Sequence, residues 1–196
     1  MNITVTKNPH PGTLPPSNQL GFGTVFTDHM FVMDYTEKDG WHNARVVPYG
    51  PIALSPAASV LHYGTEVFEG LKAYRGPDGK VRLFRPDCNG RRMMQSMRRM
   101  CMPEIPEEDF VQAIRALCRV EEAWVPDEIG SSLYFRPLAI ATTPKLGVHA
   151  SGNYLFCVLA SPAGTYYPTG MEPVRIYVEP HYIRAAEGGT GFTKCA

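Results

Sequence analysis

The sequence predicts an α+β fold, and three observations carry that prediction. Paired apolar runs around turn-forming residues open the chain, a stretch with helical periodicity follows, and short runs rich in aromatic and β-branched residues come after it. The order is strands, helices, then strands, with no internal repeat.

Residues 1–20 are rich in Pro, Asn and Gly and read as an irregular arm. MFVMDYTEKDGWHNARVVPYG then reads as a β-hairpin turning at Lys38-Asp39-Gly40, and LKAYRGPDGKVRLFRP as a second, turning at Gly76-Pro77-Asp78-Gly79. Between them Ser55-Pro56 suits an N-cap followed by a first helical position. Asp87 is a candidate cap for a helix through GRRMMQSMRRM. The clearest helix runs from Pro106 to Trp124. Glu107, Glu108 and Asp109 meet the positive end of its dipole, while Val111, Ile114, Leu117, Cys118 and Trp124 share one face. SSLYFRPLAIATT, GNYLFCVLAS and EPVRIYVEP complete the set as predicted strands.

With 44% hydrophobic and 19% charged residues, the balance is that of a globular domain. Nineteen basic residues offset nineteen acidic ones and no Lys/Arg run exceeds two, so nothing points to nucleic acid or a membrane surface. No signal peptide or membrane span is expected. Cys88, Cys101, Cys118, Cys157 and Cys195 form no C-x-x-C pair, which favours a reducing cytoplasm over a disulfide framework or zinc site. No H-E-x-x-H, G-x-S-x-G or G-x-G-x-x-G motif supports metal catalysis, serine hydrolysis or dinucleotide binding.

Four groups of residues invite chemistry. Gly188-Gly189-Thr190-Gly191-Phe192-Thr193-Lys194 places a lysine after a glycine-rich turn. It fails the phosphate-loop pattern, because Thr193 rather than glycine precedes the lysine. Tyr63, Phe68 and Tyr74 in HYGTEVFEGLKAY are either core aromatics or pocket walls. In SSLYFRP, period-two alternation puts Tyr134 and Arg136 on one face. That pairing is either a carboxylate clamp, since a guanidinium fork matches a carboxylate, or the polar face of an edge strand. The arginines of RPDCNGRR, Arg85 to Arg92, sit where a helix begins and either meet an anion or form a solvated basic face.

Taken in order, FGTVFTDHMF, HYGTEVFEGLKAYR, VRLFRPDCNGRRM, SLYFRP, LGV and GGTGFTK resemble the branched-chain amino acid aminotransferases, enzymes of pyridoxal phosphate fold type IV, from about Gly21 to Lys194. The resemblance implies that Lys194 bonds pyridoxal 5'-phosphate and moves the substrate proton, and that Arg92 binds the cofactor phosphate. It also implies that Tyr63, Phe68, Tyr134, Arg136 and Tyr166 line the substrate pocket, with Phe22 and Val148 as weaker matches. The implied reaction moves an amino group between Leu, Ile or Val and 2-oxoglutarate by a ping-pong mechanism in a homodimer. The implied organisation is an arm (1–20), a small domain with its interdomain connection (21–172) and the first strand and turn of the cofactor domain (173–196). Residues carrying the ring-nitrogen carboxylate and the remaining phosphate donors are expected beyond Ala196, and a lysine so near that point is expected to fray, leaving the chain alone a poor catalyst. Within the same fold, D-amino acid aminotransferases and aminodeoxychorismate lyases are alternatives. From another class comes a non-catalytic dimerising fragment.

Overall fold

Two antiparallel hairpins and two long strands merge into one eight-stranded sheet in the computed structural model, which describes residues 1–164, 172–183 and 185–195. The strands are β1 (Thr4–Val5), β2 (His29–Thr36), β3 (Gly40–Pro48), β4 (Glu66–Phe68), β5 (Leu71–Arg75), β6 (Val81–Leu83), β7 (Ser132–Ala141) and β8 (Asn153–Ala163). Their order is β1-β3-β2-β8-β7-β5-β6, with β4 also on β7. The helices are α1 (Ser59–Tyr63), α2 (Pro86–Arg99) and α3 (Glu107–Val120), with 3-10 turns at Ser17–Gln19 and Glu122–Trp124. The predicted α+β class stands, and both predicted hairpins form.

The sheet has two unlike faces, as period-two alternation requires. Phe31, Met33, Val67, Leu71, Ala73, Leu133, Phe135, Phe156 and Val158 point to one side. There they meet Met93 and Met97 of α2 and Phe110, Ile114 and Leu117 of α3 in the main core. Met30, Val32 and Cys157 point to the other, where Leu138, Leu155 and Leu159 pack on them. The spacing of Phe110, Ala113, Ile114, Leu117 and Cys118 gives α3 its buried stripe. Pro106 is its N-cap rather than its first residue, and the helix ends at Val120 before the Glu122–Trp124 turn.

β4 and β5 are one strand interrupted by chemistry rather than by a change of register. Phe68 faces Leu138 and Leu71 faces Phe135, so Glu69 falls opposite Pro137. The Glu69 N–H donates to Pro137 O (2.9 Å), but proline has no N–H to return the bond, and the ladder loses a rung there.

Several local expectations need correction. Asp87 does not cap α2. Arg85 takes the cap position in a left-handed conformation (φ 48°), Pro86 follows as the first helical residue, and Asp87 binds Arg91 one turn on (2.6 Å). Ser55 accepts the Ala57 N–H in a turn, and α1 starts only at Ser59, whose N–H and Oγ both donate to Thr143 O. The strand predicted over EPVRIYVEP does not form. Residues 173–180 carry no regular structure and are exposed, because no neighbouring strand pairs with them among the described residues.

The arm is less irregular than expected. Thr4 and Val5 pair parallel to Arg45 and Val46. The Gly12 N–H donates to Asp28 Oδ1 (2.7 Å), and the Asn8 N–H to His29 Nε2 (2.7 Å). His29 Nδ1 in turn binds the buried Glu121 carboxylate. Burial raises the Glu121 pKa above its ordinary value, with the His29 hydrogen bond opposing the rise.

Candidate active site

Lys194 is fixed by its main chain. In β4 the Phe68 N–H points away from β7 toward the free edge, because Phe68 and Leu138 form a non-hydrogen-bonded pair. That N–H donates to Lys194 O (3.0 Å), and the Lys194 N–H donates to the Oγ of Ser96, a buried residue of α2 (2.9 Å). Cys195 beside it joins the main core. The expected fraying is thus absent: Lys194 is pinned between β4 and α2. Its Nζ lies 4.6 Å from the centroid of the Phe68 ring, within cation–π range.

Arg92 projects from α2 into the same small cavity, about 210 Å³, lined also by Phe68, Gly191, Phe192, Thr193 and Lys194. Its guanidinium is held by Glu69, which is fully buried. Arg92 Nε and Nη2 (2.8 Å) both donate to that carboxylate, which also accepts from Asn89 Nδ2 (2.8 Å) and the Gly70 N–H (3.1 Å). The Glu69 hydrogen bond raises the Arg92 pKa above its already high value, so the charge is permanent. Glu69 therefore aims a cation and leaves Nη1 outside the pair.

The cavity's chemistry fits a phosphorylated aldehyde. It offers an amine (Lys194), a guanidinium (Arg92) and the hydroxyl of Thr193, whose Oγ1 is buried without a hydrogen-bond partner among the described residues. A buried orphan hydroxyl costs stability unless something binds it. A phosphate oxygen is a suitable acceptor.

Next to it, Tyr134 and Arg136 project from the same face of β7, as alternation predicts. Arg136 Nε (3.1 Å) and Nη2 (2.9 Å) both donate to Tyr134 Oη, and the guanidinium stands 4.9 Å over the Phe68 ring. Phe22 contacts Tyr134 ring to ring at 4.9 Å and lines a second cavity of about 160 Å³ with both. A Cβ at Gly70 would stand against Tyr134 Oη, so the glycine leaves room for the tyrosine in this position.

The structure thus brings Phe68, Arg92 and Lys194 into one cavity, with Tyr134 and Arg136 joined to it through Phe68. Tyr63 stands apart. Its Oη accepts the Gly147 N–H (2.8 Å), and it lines a separate cavity of about 230 Å³ with Val148. Tyr166 lies outside the described residues. Sequence reasoning missed Glu69, Asn89, Ser96 and Thr193. For Glu69 the signal was present: an acid in the apolar phase of Val67, Leu71 and Ala73 needs a cationic partner.

Comparison with known proteins bears on this arrangement. The chain is 55% identical over 183 residues to branched-chain-amino-acid transaminase 1 of Bacillus subtilis (strain 168), covering 93% of this chain and 51% of that protein. By sequence, the chain is a homologue of the branched-chain-amino-acid aminotransferases. It spans about half the length of the curated relatives it matches. Among solved structures, the branched-chain aminotransferase of the thermophilic archaeon Thermoproteus uzoniensis, solved with norvaline, matches with a TM-score of 0.52 at 25% identity, over 71% of this chain and 43% of that one. The Thermobaculum terrenum member, solved in its PLP form, shares the fold with a TM-score of 0.51 at 22% identity, over 71% of this chain and 40% of that one. No protein-family model matches the chain.

Proposed function

We propose that this chain supplies one part of the active site of a pyridoxal phosphate-dependent branched-chain amino acid transaminase. The observation that carries the proposal is the convergence of Lys194, Arg92 and the unpartnered Thr193 hydroxyl on one cavity, with Lys194 pinned at both its N–H and its C=O. Lys194 Nζ is the covalent anchor and the base that takes and returns the substrate α-proton. Arg92 and Thr193 bind the phosphate. Bound pyridoxal phosphate supplies the electron sink for α-carbon chemistry. Phe68 is the apolar wall for Leu, Ile and Val side chains. Arg136, with Tyr134, receives the side-chain carboxylate of glutamate or 2-oxoglutarate as the second substrate of a ping-pong cycle. Tyr63 and Tyr166 complete the lining, Tyr63 from across a homodimer interface. A cytoplasmic location suits the cysteines, all five of which are free.

Because the relatives run to about twice this length, the full turnover belongs to the full-length protein, and the 196-residue chain alone turns over poorly. The test is therefore cofactor capture rather than rate. The chain is mixed with pyridoxal phosphate, reduced with borohydride, digested and mapped by mass spectrometry beside Lys194→Ala. A phosphopyridoxyl label on the peptide containing Lys194, absent from the variant, is the expected result. Labelling spread over surface lysines, with no preference for Lys194, would refute the assignment.

A further inference from the structure

A second cavity, of about 570 Å³, lies between the β5–β6 hairpin and α3 and shares no residue with the Lys194 cavity. Its volume falls in the range of small-molecule sites. Val81, Leu83 and Pro86 give it apolar wall, and so does Cys118, whose thiol burial pushes up to about 11 and so keeps neutral.

The charge on its rim is predominantly positive. Lys80 comes from the hairpin and Arg115 and Arg119 from successive turns of α3. Elsewhere on this surface Arg45, Arg75, Arg91, Arg92 and Arg98 each have a carboxylate within 4.0 Å. The side chains of Lys80, Arg115 and Arg119 have no hydrogen bond or ion pair among the described residues. The acid that lines the cavity, Glu122, is turned to Arg75, and the fourth cation, Arg82, is bound by Asp78. Arg115 and Arg119 stand one helical turn apart, a like-charge spacing that destabilises a helix unless an anion lies between them.

From this convergence we propose that the cavity binds a small organic polyanion, its carboxylate or phosphate groups held by Lys80, Arg115 and Arg119 and its carbon part resting on Val81, Leu83 and Cys118. Such a site shares no lining residue with the Lys194 cavity.

The test is titration calorimetry of the chain with citrate and with inorganic pyrophosphate, which separate a carboxylate from a phosphate preference, and with acetate as a monoanion. One of the two polyanions binds saturably with one site per chain. The double variant Arg115→Gln/Arg119→Gln weakens it about twenty-five-fold, at roughly five-fold per cation. A charge-matched control, Lys38→Gln/Lys145→Gln, leaves it unchanged, because neither residue lines the cavity. Where the α3 variant fails to fold, Lys80→Gln on the hairpin gives the same reading, about five-fold. Absence of saturable binding by both polyanions, or equal weakening by the control pair, overturns the proposal.

Discussion

Replacing Glu69 by Gln removes a charge without changing the shape of the side chain, so it isolates what the buried carboxylate does. Glu69 accepts four hydrogen bonds: three converge on Oε2, from Arg92 Nη2, Asn89 Nδ2 and the Gly70 N–H, and one reaches Oε1 from Arg92 Nε. A glutamine keeps three of them by placing its oxygen where Oε2 was. Its amide nitrogen then faces Arg92 Nε, donor against donor. The loss is one charge-assisted hydrogen bond, worth about 1.5–3 kcal/mol, plus the attraction of the pair. Half of the Arg92 side chain is exposed, so a released guanidinium swings into water rather than staying buried unpaired. That holds the cost to about 2 kcal/mol, below the 3–5 kcal/mol roughly expected on breaking a fully buried pair. Urea unfolding reads it as a lower midpoint at unchanged slope. Borohydride trapping of pyridoxal phosphate on Lys194 should fall at the same time, because Arg92 is no longer aimed. A variant within about 0.5 kcal/mol of the parent, trapping the cofactor equally well, would show that Glu69 does not position Arg92.

Four further outcomes follow from the geometry. Gly70→Ala puts a methyl against Tyr134 Oη, so Tyr134 must move; a cost of about 1–3 kcal/mol in urea unfolding and a changed tyrosine near-UV signal are expected. Arg136→Ala, read in stopped-flow half-reactions of a catalytically competent preparation, slows glutamate more than leucine, and equal losses would remove the carboxylate-clamp role. Leu117→Ala, fully buried between α3 and the sheet, costs about 2–5 kcal/mol by the same unfolding assay. Cys157 makes stability fall in alkali. Burial pushes its thiol from 9.0 up to about 12, so the folded state keeps a proton that the unfolded state gives up. The contribution is intact below pH 9 and is lost as pH rises toward 12, amounting to about 3 kcal/mol by pH 11. Cys157→Ala should flatten that slope, whatever it costs at neutral pH.

Much of the sheet was legible because its signals are local. Gly40 and Gly79 mark the hairpin turns, and alternation along SLYFRP is enough to put Tyr134 and Arg136 on one face. The helix caps were less legible, since Arg85 in a left-handed conformation is an unusual cap and Asp87 a common one. The failed strand over residues 173–180 shows the limit of β-propensity, which describes a side chain's fit to a sheet and not whether a neighbouring strand is present. Within the candidate site, Lys194, Arg92 and Arg136 are readable as residue types, whereas Ser96 and Asn89 hold other residues of the chain, and nothing in their own spacing announces it. The pinning of Lys194 depends on contacts with residues 98 and 126 positions earlier, a separation that no local pattern encodes.

The rung missing at Pro137 has a consequence for how this stretch can evolve. Register runs unbroken from Glu66 to Ala73 along β7, so the parity of each position decides which compartment it addresses. Odd positions send Val67, Glu69, Leu71 and Ala73 toward the helices; Phe68 and Gly70 look the other way, toward Tyr134 and Arg136. Inserting or deleting one residue here would exchange the two sets, stranding an acid beside Arg136 and withdrawing it from Arg92. Length changes in this segment are therefore tolerated in pairs, or singly where a bulge restores the count. The Glu69–Gly70 step opposite a proline, already short of one bond, is where such a bulge would disturb the ladder least.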